Sequence, residues 1–261
     1  MGSRVYRLKH CPLYQQMRAD PRLVRCLVRQ LLEAVQILSE HRIVHADIKP
    51  DNILLRPWQA PAVDNAAVSR SEKALLHVQL IDFGSAIVSE LHRYPANQGR
   101  GGGGGGGTPE YTPPEALVPS APPPPSQASS SRSVVSGADA VHSPSSSFDV
   151  WSVGAVFLEL LCGFPLWFGY RSRIEVAGKE HWVKNGGPFT TKHRNPANIQ
   201  QRQLEVVANL EGSIRKYPGM LHDWPPQVAA SALDLLSQLL DPNPQTRVSP
   251  QEALSHLFCS W

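Results

Sequence analysis

Residues 45–52 read HADIKPDN, two aspartates, a lysine, a histidine and an asparagine within eight residues. A carboxylate at Asp47, a cation at Lys49 and an amide at Asn52 suit the transfer of a phosphoryl group to a hydroxyl. The carboxylate orients the hydroxyl and accepts its proton, and the cation neutralises charge on the group in transit. Magnesium prefers hard oxygen ligands and usually takes only one or two from protein. Asn52 and Asp82 supply two, the second in an Asp-Phe-Gly turn that closes the apolar run HVQLIDFG (77–84). Any one of these aspartates, taken alone, reads better as a helix cap or turn residue. The string of all of them, then an apolar strand, then the turn, is improbable by chance.

The elements that must hold this string are legible around it. Asp20-Pro21 opens a helix, with Asp as cap and Pro in the first turn. Leu23, Leu27, Leu31, Ala34 and Leu38 recur at helical spacing, and Glu40-His41 closes it. Ile43-Val44 leads into the motif, and NILL (52–55) and residues 77–84 read as short strands. Residues 56–74 read as a polar surface insertion. Gly101 to Gly107 is an unbroken glycine run expected to be mobile. It satisfies G-x-G-x-x-G only as any glycine run does, and it follows Asp82, so it is rejected as a nucleotide loop. Residues 118–147 are Pro/Ser-rich and expected to be disordered. Residues 148–167 are apolar nearly all round, which predicts a buried helix with Asp149 at its start, broken only by Glu159. Residues 225–240 predict an amphipathic helix. Residues 249–258 predict another, opened by a Ser249–Glu252 capping box. After Asp82 the chain is expected to be mostly helical, with too few strands for a large sheet.

The totals are permissive. The chain has 261 residues, 41% of them apolar, enough for a sizeable core, and a formal charge of +3, which gives no case for a nucleic-acid partner. Arg4, Arg7, Lys9, Arg18, Arg22, Arg25 and Arg29 read as a solvated helix face, with an anionic partner as the alternative. Cys11, Cys26, Cys162 and Cys259 have no zinc-ligand spacing and are expected to be buried free thiols. No signal segment and no apolar run of membrane-spanning length is evident. An intracellular protein, cytoplasmic or nuclear, is expected.

His-x-Asp-x-Lys-Pro-x-Asn followed by Asp-Phe-Gly resembles the eukaryotic protein kinase family. GTPEYTPPE (107–115) is similar to the family's segment that binds the substrate residue after the phosphoacceptor. DVWSVGAVFLELL (149–161) is similar to its central buried helix, and DPNPQTR (241–247) to the loop before its last helix. The likeness covers the chain from near residue 20 to the end, outside the insertions. It implies a mainly α, α+β protein-kinase-like fold limited to the large C-terminal lobe over 1–261. That lobe is helical, built around a buried central helix, with short strands carrying the catalytic loop and the turn. It implies transfer of the γ-phosphate of ATP, with Mg2+, to a protein substrate. Asp47 would be the base, Lys49 would contact the γ-phosphate, and Asn52 and Asp82 would hold the metal. Thr108 would hydrogen-bond near Asp47 and Lys49 in the substrate-binding segment. Glu115 and Arg247 would form a buried ion pair, and Asp149 would brace the catalytic-loop backbone. A lysine at 49 is typical of the serine/threonine branch.

The sequence departs from the family at Ala46, where the family usually has the arginine that pairs with a phosphorylated activation-loop residue. From Ser89 to Thr108 no serine or threonine lies between, and Tyr94 is the one hydroxyl. Receptor and ligand are both missing, so activity is expected not to depend on that phosphorylation. Pro113 for alanine is a mild change. More serious, no glycine-rich loop, strand lysine or helix glutamate of the family's small lobe is recognisable. Loss of two or three charge-assisted contacts, roughly 1.5–3 kcal/mol each, would move a micromolar nucleotide site, about −8 kcal/mol, to millimolar or weaker. Three readings stay open: part of a working serine/threonine kinase, an inactive kinase-like scaffold or protein-binding module, and a chain whose small lobe comes from a partner covering its exposed face. Ser143-Pro144 fits a proline-directed phosphosite or an inert linker. Residues 163–195, with Phe164, Trp167, Phe168, Tyr170 and Trp182, would decide substrate preference, although core packing accounts for most of those aromatics.

Overall fold

The computed structural model describes residues 11–57, 76–88, 108–118, 145–176 and 179–260. The chain enters through α1 (Pro12–Ala19) and turns at Asp20 into the long α2 (Pro21–Glu40). Asp20 caps α2 by accepting from the Arg22 amide, and Pro21 occupies the first turn, where its missing N–H costs nothing. Four short strands follow: β1 (Ile43–Val44), β2 (Ile53–Pro57), β3 (Leu76–Leu80) and β4 (Ile87–Val88). They pair antiparallel as β1 with β4 and β2 with β3. Next come α3 (Pro114–Leu117), α4 (Ser146–Cys162), and the hairpin β5 (Gly169–Val176) and β6 (Lys179–Gly186). The chain ends through α5 (Pro196–Ala208), α6 (Leu210–Ile214), α7 (Pro226–Leu239) and α8 (Pro250–Leu254).

The core is built on α4. Every residue from Asp149 to Leu158 is buried, so the helix has no solvent face, as its all-round apolarity requires. Packed against it, α2 buries Val24, Leu27, Val28, Leu31, Leu32 and Val35, and α7 buries Ala232, Leu235, Leu236 and Leu239. Burying each such leucine or valine contributes about 1.5–3 kcal/mol. Phe157 meets Phe258 at 5.3 Å between ring centres, tying in the end of the chain. Gly163 stops α4 in the left-handed region, φ 66°. No described helix is long and apolar enough to cross a membrane.

Several expectations change in detail. The region after Asp82 is mostly helical with no large sheet, as expected, and the β5–β6 hairpin is an addition the sequence reading did not include. The aromatics at 163–168 are not core: Trp167 is 46% exposed and stacks edge-on against a half-buried Phe168. Side chains 170–184, with Tyr170 and Trp182, lie outside the described residues. The last helix is one short turn-pair, Pro250–Leu254, although its Ser249–Glu252 capping box forms in both directions. Arg56 and Pro57 belong to β2, and α4 begins at Ser146, so both insertions start or stop within ordered elements. Residues 58–74 and 119–144, with Ser143-Pro144, and the glycine run lie outside the described residues. Cys162 and Cys259 are buried, whereas Cys26 is half-buried and Cys11 is exposed. Cys11 instead caps α1, its sulfur accepting from the Tyr14 amide at 3.4 Å.

The crossing of α4 and α7 leaves no room at Gly154. A Cβ there would lie 2.9 Å from Leu240 Cδ2 and 3.0 Å from Leu239 Cβ. At an ordinary helix position alanine gains about 0.5–1 kcal/mol over glycine, but overpacking a core costs about 1–3 kcal/mol. Packing wins, so Gly154→Ala is predicted to lower the thermal unfolding midpoint. A raised midpoint would show that the crossing yields and that helix propensity dominates.

Candidate active site

The loop from His45 to Asn52 is held by the buried helix behind it. Asp149, in the first turn of α4 and fully buried, accepts from the backbone amides of His45 at 2.7 Å and Ala46 at 3.0 Å. Two successive N–H groups can converge on one carboxylate only if the backbone curls into a nest, and Ala46 accordingly sits at φ 63°. That conformation costs about 1–2 kcal/mol for a residue with a Cβ. Two charge-assisted hydrogen bonds at roughly 1.5–3 kcal/mol each outweigh it. Burial pushes the Asp149 carboxyl up to about 6, against the two amides, which pull it down.

His45 reads the next element. Its Nε2 lies 3.1 Å from the Ile81 carbonyl and its Nδ1 3.4 Å from the Asp47 amide. A carbonyl only accepts and an amide N–H only donates, so Nε2 carries the proton and Nδ1 is bare. Its ring packs on Phe83 at 4.7 Å, joining the loop to the Asp-Phe-Gly turn.

Asp47, Lys49 and Asn52 form one cluster. Asp47 Oδ2 accepts from Lys49 Nζ at 2.8 Å and from Asn52 Nδ2 at 3.0 Å. Asn52 Nδ2 also donates to the Asp47 carbonyl at 2.8 Å. Both partners of that amide are acceptors, so its nitrogen faces Asp47 and its oxygen remains available. Asp47 and Asn52 are nearly buried, and the ion pair with Lys49 fixes the carboxylate's rotamer more than it stabilises the fold.

Asp82 is carried to the same place by strand pairing. Ile53 opposes Leu80, and the Ile81 amide donates to the Asn52 carbonyl at 3.0 Å, so Asp82 follows directly on the residue facing Asn52. Asp82 is exposed, sits at φ 62°, and accepts from the Gly84 amide through Oδ1 at 3.2 Å. No cluster of three His, Cys, Asp or Glu occurs among the described residues. An amide oxygen and a carboxylate on adjoining backbone therefore fit magnesium, which keeps water and phosphate for most of its shell, and do not form a closed protein cage.

The remaining residues singled out from the sequence lie outside this cluster, on α3, in the loop between α7 and α8, and in the turn before α3. Glu115 meets Arg247 bidentately at 2.8 and 3.0 Å, and Arg247 also donates to the Ser147 and Asp241 carbonyls, each at 2.8 Å, over the Trp151 ring. Thr108 is half-buried at the start of the 3-10 turn Pro109–Tyr111. No hydrogen bond joins it to Asp47 or Lys49 among the described residues, where Asp47 Oδ2 takes Lys49 and Asn52. Three groups escaped the sequence reading. Tyr111 donates a short hydrogen bond to Glu159, which also accepts from the Leu166 amide at 3.0 Å. Ser152 donates to the Tyr111 carbonyl at 2.8 Å. Buried Glu110 is held bidentately by Arg194 at 2.7 and 2.9 Å. The acid Glu159 inside the apolar run of that helix was the one signal available.

Desolvation lowers the pKa of His45, with its bond to Ile81 acting the other way. Unfolded, the ring takes a proton near pH 6.5; folded, it resists, because both nitrogens already have the partners of the neutral form. The unfolded state then binds more protons as pH falls through about 6.5, and stability is lost in that direction. We predict that the stability gap between wild type and His45→Gln, from urea unfolding, narrows between pH 7.5 and pH 5.5. A gap constant with pH would refute the assignment.

Comparison with known proteins bears on the family. A family model described as protein kinase domain matches residues 5–259. Cyclin-dependent kinase-like 1 of Caenorhabditis elegans is 26% identical over 92% of this chain and 53% of its own length. Serine/threonine-protein kinase ppk15 of Schizosaccharomyces pombe is 23% identical over 90% of this chain and 42% of its own. Dual specificity tyrosine-phosphorylation-regulated kinase 4 of Homo sapiens is 25% identical over 90% of this chain and 37% of its own. The chain spans about half or less of the length of these curated relatives. With a match that runs over nearly every residue, the chain belongs to the protein kinase domain family.

Proposed function

We propose that this chain supplies the catalytic lobe of a serine/threonine protein kinase that uses ATP and Mg2+ on a protein substrate. The observation that carries the reading is the single oxygen Asp47 Oδ2 accepting from both Lys49 and Asn52. That arrangement leaves the second carboxylate oxygen of Asp47 to meet an incoming hydroxyl. Asp47 orients the serine or threonine hydroxyl and accepts its proton as the oxygen attacks the γ-phosphorus. The bond to the bridging β,γ oxygen breaks, and ADP leaves with that electron pair. Lys49 swings from Asp47 to the γ-phosphate and offsets its charge. Asn52 Oδ1 and the Asp82 carboxylate would hold a magnesium ion, which would supply positive charge to neutralise the phosphates. Asp149 keeps the loop amides in place, and Glu115 with Arg247 supports the segment that receives the substrate.

The described residues before β1 are helical, and no glycine-rich strand or strand lysine occurs among them. We therefore take the functional unit to be this large lobe together with nucleotide-holding strands from outside the described residues, in an intracellular protein. The second reading, a kinase-like scaffold, draws support from Leu54 at 40% and Phe83 at 48% exposure beside the site, apolar surface that a partner would cover.

The full chain, given magnesium and labelled ATP with serine, threonine and tyrosine peptides, is predicted to label the first two. Asp47→Asn should lower the rate at least 100-fold, within the range for loss of a general base, with little change in unfolding midpoint. Labelling unchanged in Asp47→Asn would sink the catalytic reading, and labelling of tyrosine alone would sink the acceptor assignment. Because Ala46 offers no cation to a phosphate, phosphatase treatment should leave the rate unaltered. A loss traced to Tyr94 by mass spectrometry would contradict that.

A further inference from the structure

Away from the site, a groove of about 590 Å3 opens between the end of α4, the exit of the β5–β6 hairpin and the turn after α6. The volume lies within the roughly 300–1,000 Å3 typical of ligand clefts. It shares no residue with the cluster around Asp47. Lys192, Arg202 and Lys216 line it, from three different segments, and none of its described lining residues is an acid.

The backbone of the groove is already engaged. The Gly187 amide donates to the Phe168 carbonyl at 2.9 Å, and the Gly187 carbonyl accepts from Thr190 at 3.0 Å. The Gly186 carbonyl accepts from the Tyr217 hydroxyl at 2.8 Å. Thr190 donates to the Phe168 carbonyl at 3.1 Å. Arg202 donates to the Pro188 carbonyl at 2.9 Å and to Glu205 at 3.1 Å, so part of its charge is met at home. Lys192 and Lys216 are exposed and have no carboxylate partner among the described residues. What the groove offers an occupant is therefore two unmatched ammonium groups and apolar ring surface, with the Phe164 and Tyr217 rings 6.4 Å apart. It does not offer a ladder of free backbone donors, so an added strand is not the fitting mode.

We propose that this groove docks a short acidic segment of a partner protein, an apolar side chain flanked by carboxylates. The apolar residue packs on the Phe164 and Tyr217 rings, and the carboxylates pair with Lys192 and Lys216. The charge match is the argument for this occupant: cations that no described carboxylate neutralises attract an acidic chain and repel a basic one. The docking is independent of phosphoryl transfer, since the groove and the Asp47 cluster have no residue in common.

The test uses the full chain and fluorescein-labelled peptides in anisotropy titrations. One peptide is Glu-Asp-Phe-Glu-Glu, and the other has lysines in place of its acids. Saturable binding of the acidic peptide alone is expected, weakening as salt rises above about 0.15 M. Lys192→Glu and Lys216→Glu should each weaken it about tenfold, as lost charge complementarity at a docking face does. Arg56→Glu, the same charge change on β2, should leave it intact. Asp47→Asn should also leave it intact, which separates this proposal from the catalytic one. Circular dichroism confirms that each variant is folded. Equal affinity for both peptides, an unaltered affinity in Lys192→Glu and Lys216→Glu, or tighter binding of a single-stranded RNA of equal charge would overturn the proposal.

Discussion

One buried carboxylate sets the geometry on which the site depends. Asp149 belongs to the first turn of α4, and both of its oxygens are used on the adjoining amides of His45 and Ala46. The start of a helix favours a negative charge, whereas the core around it does not. The ionised form is kept affordable by the two amides, and those amides are where they are only because Ala46 accepts a left-handed backbone. The loop's shape is therefore a property of α4's burial. A local loop sequence without that helix would have no reason to hold His45 and Ala46 in this form.

The same helix ties down three further segments. Ser152 and Glu159 hold the chain around Tyr111, by its carbonyl and its hydroxyl. Trp151 lies under the Arg247 guanidinium, which reaches Glu115 and the Ser147 carbonyl. Because α4 is apolar on nearly every side, Asp149, Ser152 and Glu159 find partners across a packed boundary, at His45–Ala46, at Tyr111 and at Leu166. Burial of a helix with no wet face is thus what converts a few polar side chains into fixed posts. Arg247 illustrates the stake: with its side chain fully buried, loss of Glu115 would leave a charge in the core, at a cost of about 3–5 kcal/mol.

The chemistry-bearing cluster is stiffer on one side than on the other. Asp47 and Asn52 are nearly buried and interlocked, while Asp82 and Phe83 are exposed and joined to them by strand pairing and the His45 ring. A rigid carboxylate beside an open one suits the proposed chemistry, in which a base is preorganised and a metal ligand meets incoming oxygens.

Local signals were legible in the sequence because their physics is local. Asp20-Pro21 as a helix start, the Ser249–Glu252 capping box, the all-round apolarity of α4 and the spacing of Asp47, Lys49 and Asn52 each depend on a few neighbouring residues. The β5–β6 hairpin was legible in principle, since Arg171, Arg173 and Glu175 alternate with Tyr170, Ile174 and Val176 before Ala177-Gly178. Its aromatics instead drew attention as candidates for the core. Only the tertiary structure decided the rest: the His45 tautomer, the capture of Tyr111 by Glu159, the pairing of Glu110 with Arg194, and the meeting of Lys192 with Lys216 in one groove. Each of these depends on residues far apart in the chain, and their distance in space is set by how the helices pack around α4, which no short stretch of sequence encodes.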